Sequence, residues 1–166
     1  MIKYKPDTVS VVFNEIPDYV TLAIEITNCQ GTCEGCHSPW LREDIGEELT
    51  EEKLDELIRA NRGVNCICFM GEGTDHEALK RLAAGIHFRS DYPYKVALYS
   101  GRPTVEKDFD RYFDFIKVGP YIAARGPLNS PTTNQRLYEI ERKYSDDYEL
   151  EETIRHDITY KFWKKD

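Results

Sequence analysis

Five cysteines carry the first chemical signal: Cys29, Cys33, Cys36, Cys66 and Cys68. An odd number excludes a complete disulfide framework within one chain. Cys29, Cys33 and Cys36 form C-x3-C-x2-C in the stretch T-N-C-Q-G-T-C-E-G-C-H from Thr27 to His37. Thiols this close, interleaved with Gly31 and Gly35 that let the backbone turn tightly, predict a loop folded around a metal. Two chemistries compete. Zinc wants four N or S ligands, which Cys29, Cys33, Cys36 and His37 would supply. That set is cramped, because Cys36 and His37 are adjacent, and no second C-x2-C or H-x3-H accompanies it. A [4Fe–4S] cluster takes one thiolate per iron, and the loop offers three. The fourth iron is then held by Cys66 or Cys68, or left open to a small molecule. An open coordination position is the mark of a catalytic metal site. Cys66 and Cys68 lie in V-N-C-I-C-F-M, which reads as a buried strand with both thiols on one face and acting as small hydrophobes.

The elements that must position this loop follow from periodicity. Val9–Phe13 is a first short strand, and Tyr19–Thr27, rich in β-branched residues, is a second that runs straight into the cysteines. The metal would therefore sit at the carboxyl end of a strand, where ligands gather in α/β folds. Thr50 opens a helix with Leu54, Leu57 and Ile58 on one face and acids on the other, stopped by Gly63. Cys66–Met70 is the next strand. Thr74-Asp75-His76-Glu77 has the form of a capping box, with Thr74 as cap, for a helix carrying Ala78, Leu79, Leu82, Ala83 and Ile86. Tyr94–Tyr99 is a strand, Thr104–Arg111 a short helix, and Phe113–Gly119 another strand. This order implies an α/β fold with a mostly parallel sheet. Between Glu139 and Glu152, seven acids stand against Arg142 and Lys143 without apolar periodicity, which predicts an exposed, mobile segment. Ile158–Trp163 alternates and is expected to add a last strand.

With 166 residues a single domain over 1–166 is expected. Lys and Arg number 22 against 30 Asp and Glu, a net charge of −8. That balance argues against nucleic acid bound through its phosphates and against docking on an anionic membrane. No apolar run approaches the ~18 residues of a membrane span, and Met1–Pro6 lacks the apolar core of a signal peptide. The expectation is a cytoplasmic protein.

The C-x3-C-x2-C loop resembles the cluster-binding motif of the radical S-adenosylmethionine (SAM) enzymes. Gly35 before the third cysteine, with His37-Ser38 after it, is similar to one branch, the activating proteins of anaerobic ribonucleoside-triphosphate reductases. The D-x-I-K-x-G-P-Y block from Asp114 to Tyr121 and the T-N-Q-R block from Thr133 to Arg136 resemble the same branch. The resemblance covers roughly Val20 to Leu137.

The resemblance implies that Cys29, Cys33 and Cys36 hold a [4Fe–4S] cluster and that SAM chelates the fourth iron. Gly35, Cys36 and His37 are expected along SAM, with Gly71 and Glu72 at its amino-acid end. The family carries a Gly-Gly-Glu or Gly-Gly-Asp turn there. Here Glu72 stands where the second glycine is expected, so the turn is shifted by one residue or its contact with the amino group is rebuilt. Arg102 is expected to pair either with the SAM carboxylate or with a neighbouring acid. Asn134, Gln135 and Arg136 contact the partner or wall the site.

The implied activity is installation of a glycyl radical on the large subunit of an anaerobic ribonucleoside-triphosphate reductase. A reduced flavodoxin-like donor would supply the electron, and a homodimer is compatible with the pattern. The chain is too short for a full eight-stranded barrel of ~200 residues or more, so a partial, open (β/α) barrel is implied. Rival readings are an activase of another glycyl-radical enzyme or a peptide-modifying relative, a relative that has lost SAM cleavage, and a structural zinc-binding adaptor.

Overall fold

The computed structural model describes residues 1–29, 39–88 and 93–163. In chain order its elements are β1 (Lys3–Tyr4), β2 (Ser10–Val12), β3 (Thr21–Glu25), β4 (Glu47–Glu48), α1 (Glu51–Ala60), β5 (Cys66–Met70), α2 (His76–His87), β6 (Lys95–Tyr99), β7 (Phe115–Val118), β8 (Arg136–Tyr144) and β9 (Leu150–Asp157). The main sheet has the order β2-β3-β5-β6-β7-β8-β9. Its four central strands, β3, β5, β6 and β7, are parallel. The outer pairs are antiparallel, and β2 and β9 form the edges. The fold is α/β with a mixed, mostly parallel sheet at its centre. No helix among the described residues is long and apolar enough to cross a membrane.

The central strands are apolar on both faces because both are covered. Leu22, Ile24, Ile67, Phe69, Leu98 and Ile116 share a core with Leu54 and Ile58 of α1 and Leu79, Leu82 and Ile86 of α2. On the opposite face, Cys66, Cys68, Ala97, Phe115 and Leu137 pack against Ile16 and Ile158. The two cysteines of β5 are thus fully buried core residues, side by side on one face.

Local sequence explains both helices. The Thr50 hydroxyl accepts from the Lys53 amide at 3.0 Å, and Glu51 and Glu52 complement the positive end of α1. In α2 the cap is Asp75, which accepts from the Ala78 amide at 3.0 Å, so it falls one residue after the expected Thr74. The expected short helix at 104–111 is a 3-10 stretch over Lys107–Arg111.

Residues 139–152 depart from expectation. They are not a mobile segment: β8 and β9 make a hairpin that pairs back onto β7. Its anchors are polar, which is why no apolar period marks it. Arg142 donates to the carbonyls of Asp110 and Phe113, both at 3.0 Å, and pairs with the Asp114 carboxylate. Arg155 Nε reaches the buried Asp110 carboxylate at 2.8 Å, which also accepts from the Thr153 hydroxyl at 2.9 Å. The expected strand at 158–163 is instead a 3-10 turn over Thr159–Phe162, whose Thr159 hydroxyl accepts from the Leu137 amide at 2.8 Å.

These anchors predict two outcomes. Arg155→Ala removes the closest cation of the buried Asp110 carboxylate while Lys107 and the Thr153 hydroxyl remain, so unfolding free energy falls by ~1.5–3 kcal/mol in denaturant titration. An Asp110→Asn, Arg155→Ala double variant recovers part of that loss. The second outcome concerns pH. Burial raises the Asp114 pKa, but the His87 bond and charge, the Val96 amide and Arg142 outweigh it and leave the carboxyl below its usual value. A lowered carboxyl stabilises fully above its unfolded pKa of about 3.9 and stops doing so as pH falls through the folded value. Melting curves of wild type are expected to fall more steeply below about pH 4 than those of Asp114→Asn.

Candidate functional site

The carboxyl ends of β3, β5, β6 and β7 lie along one edge, and four turns emerge there. Ile26 through Cys29 follow β3. The Thr27 hydroxyl donates to the Ile45 carbonyl at 2.6 Å, and the amides of Asn28 and Cys29 donate to Glu43 and Leu41 at 3.0 and 2.6 Å. Cys29, half-buried, is thereby pinned just past the strand end. Cys33, Gly35, Cys36 and His37 lie outside the described residues.

Gly71–Gly73 follow β5. Gly71 has φ +123°, and a Cβ there would stand 3.1 Å from the Ile26 carbonyl oxygen. Gly73 has φ +63°. Both therefore need glycine. Glu72 between them is outside the left-handed region, so its position makes no such demand. Its side chain turns into the protein, where its carboxylate accepts from the Ser100 hydroxyl. Arg102 Nε and Nη2 donate to the same carboxylate at 2.9 and 2.6 Å. The other edge of Arg102, Nη1 and Nη2, donates to Glu106 at 2.8 Å in both bonds. Arg102 holds the Glu106 carboxyl down at about 2. Both carboxylate-binding edges of Arg102 are thus engaged within the chain. Of the two expected pairings, a neighbouring acid is the one formed. The clamp ties the turn after β5 to the turn after β6.

One layer inside these turns, on the face away from the helices, four residues are in register across the strands. Glu25 is opposite Met70, Met70 opposite Tyr99, and Tyr99 opposite Lys117. Lys117 is buried and donates to the carbonyls of Gly119 at 2.9 Å and Ser100 at 3.4 Å. Its Nζ stands 5.7 Å from the centre of the Tyr99 ring. Burial raises the Tyr99 phenol well above its ordinary value, and its hydroxyl donates to the Glu15 carbonyl. Sequence reasoning treated Lys117 only as part of a block and did not single out Glu25 at all. The available signal was a charged residue at the carboxyl end of each of two otherwise buried parallel strands.

Cys66 and Cys68 lie deeper, four and two residues before the end of β5. Burial pushes the Cys66 thiol up to about 12 and raises Cys68 as well, so both stay protonated near neutral pH and are poor metal ligands. Among the described residues no three His, Cys, Asp or Glu side chains converge as a metal site. Asn134 donates to the Pro120 carbonyl at 3.0 Å and Gln135 to Gly119 at 3.4 Å, which ties the start of β8 to the turn after β7.

No protein family, curated protein or solved structure matches this chain.

The clamp generates a third prediction. Arg102→Ala leaves the buried Glu72 carboxylate short of two charge-assisted bonds, and a loss of ~1.5–3 kcal/mol is expected in thermal or denaturant melts. Glu72→Gln in the Arg102→Ala background recovers stability, and the double-mutant cycle gives a coupling of at least ~1 kcal/mol.

Proposed function

We propose that this chain is a radical SAM activating enzyme, a partial and open (β/α) barrel in the cytoplasm that installs a glycyl radical on an anaerobic ribonucleoside-triphosphate reductase. The observation that carries this reading is placement. The C-x3-C-x2-C run begins with Cys29 immediately past β3, and the Gly71 turn abuts the Ile26 backbone next to it. Ligand-binding residues gather at the carboxyl ends of parallel strands, and both the thiols and the glycine turn lie there.

The donor set suits an iron–sulfur cluster with one open iron. It offers three thiols in the loop, while the other two cysteines are buried and held protonated. Cys29, Cys33 and Cys36 would hold the cluster, and Gly35, Cys36, His37 and Gly71 would line SAM. Glu72 and Arg102, assigned to SAM by resemblance, would act instead by fixing the Gly71–Gly73 turn. A cluster held there, given one electron by a reduced flavodoxin-like donor, would supply reductive cleavage of SAM and with it the abstraction of a hydrogen atom from a glycine of the partner, with methionine and 5′-deoxyadenosine as products. The chain's own residues bind, orient and exclude water.

Hydrogen-atom abstraction asks for no general base, and the described histidines are occupied otherwise. His87 pairs with Asp114 at 2.9 Å, His156 with Glu141 at 2.9 Å, and His76 lies 3.4 Å from Glu72.

The test is EPR of the anaerobically reconstituted, reduced protein with and without SAM. The expected result is a reduced [4Fe–4S] signal that changes on adding SAM and is lost in Cys33→Ala, followed by a glycyl-radical signal when the reductase is added. Zinc in place of iron overturns the reading in favour of a structural metal module. A cluster indifferent to SAM removes the catalytic role.

A further inference from the structure

Glu25 ends β3 on the face of the sheet that α1 and α2 do not cover, opposite Met70 of β5. Its Oε2 is buried and has no hydrogen-bond partner. Buried carboxylate oxygens are as a rule paired or hydrogen-bonded, and each exception in a native fold calls for a reason. The lysines whose backbone pairs with the end of β3 are committed elsewhere. Lys5 pairs with Asp7 at 3.0 Å, and Lys3 with Asp44 at 3.0 Å. Lys117 lies at the far end of the same row, three strands away at a spacing of about 4.8 Å, and is bonded to the carbonyls of Gly119 and Ser100.

The neighbours of the carboxylate are held in fixed positions. Ile26 and Gly71 follow directly on Glu25 and Met70, and the Ile26 amide donates to the Met70 carbonyl at 3.1 Å, so the carboxylate is carried on rigid backbone. Beside it in the row are the soft thioether of Met70 and the ring of Tyr99. One layer below are the small side chains of Ala23, Cys68 and Ala97, in register. A carboxylate at the rim of a polarisable, aromatic row suits a ligand with a cationic end and a flat or apolar body.

We propose that Glu25 is a binding residue for the cationic end of a ligand taken up at these strand ends. The inference rests on the reading above, which makes that ligand SAM, whose sulfonium stays cationic when its amine is bound to iron. Glu25 then supplies a fixed counter-charge to the methionine portion. In the ligand-free protein the half-buried Glu25 keeps one buried carboxylate oxygen without a hydrogen-bond partner, which a bound cation would satisfy.

The experiment compares wild type, Glu25→Gln and Glu25→Asp as full-length, anaerobically reconstituted protein. It reads iron content, the melting temperature without SAM, and the Kd for labelled SAM by equilibrium dialysis. Glu25→Gln is expected to keep its iron, to melt no lower than wild type, and to bind SAM at least tenfold more weakly. Glu25→Asp, which keeps the charge on a shorter arm, is expected to fall between the two. Unchanged SAM affinity in Glu25→Gln overturns the role of Glu25 and leaves the proposed function standing. A lower melting temperature with loss of iron also overturns it, since the residue is then structural. Wild-type protein that holds iron and binds no SAM overturns the proposed function itself.

Discussion

Four adjacent parallel strands, buried on both faces, constrain everything else in this molecule. Parallel pairing forces each connection from β3 to β7 to cross over and return, so every turn at the carboxyl end emerges along the same edge. The chain meets that constraint with α1 between β3 and β5, α2 between β5 and β6, and the 3-10 stretch between β6 and β7. Chemistry-bearing residues far apart in sequence, Cys29, Gly71, Arg102 and Gly119, are brought to one rim by this means. The rim is closed by bonds between successive turns. The Ile26 amide donates to Met70, the Ser100 amide to Lys117, and the Gly119 amide to Arg102.

Among the described residues, the buried carboxylates follow a consistent rule. Asp110, fully buried, meets Arg155, Thr153 and Lys107. Asp114 meets His87, Arg142 and the Val96 amide. Glu72 meets Ser100 and Arg102. Each is a carboxylate removed from water and compensated with directed donors, as the energetics of burial require. Two of them hold the β8–β9 hairpin to the sheet, so a face without an apolar stripe is still fixed in place. Glu25 is different: it is only half-buried, and its one buried oxygen, Oε2, has no hydrogen-bond partner.

How far the sequence was legible depended on whether the decisive interaction was local. Cys66–Met70 reads as a strand because an apolar run between turn signals needs nothing beyond itself, and the Thr50 cap is set within three residues. The α2 cap slipped from Thr74 to Asp75 because both can accept from an amide three residues on, and the backbone chooses between them. The hairpin over Arg136–Asp157 was unreadable for a different reason. Its anchors join Arg155 to Asp110 across 45 residues and Arg142 to Asp114 across 28, and no periodicity records such pairs. Of the candidate site, the cysteine spacing and the glycine turn were visible. Glu25 and Lys117 were not, since their meaning lies in register between strands.

The departure at Glu72 resolves into a statement about conformation. A glycine pair in a ligand turn is read as a demand for two special backbone positions, and this chain satisfies that demand at 71 and 73. The intervening residue is free to carry a side chain, and a carboxylate there does something a glycine cannot. It accepts from Ser100 and Arg102 on the neighbouring strand's turn and so fixes one wall of the rim against the next. A side chain at position 72 is therefore compatible with this turn, because the left-handed positions lie on either side of it. The Glu72 side chain then stiffens the rim by joining the turn after β5 to the turn after β6.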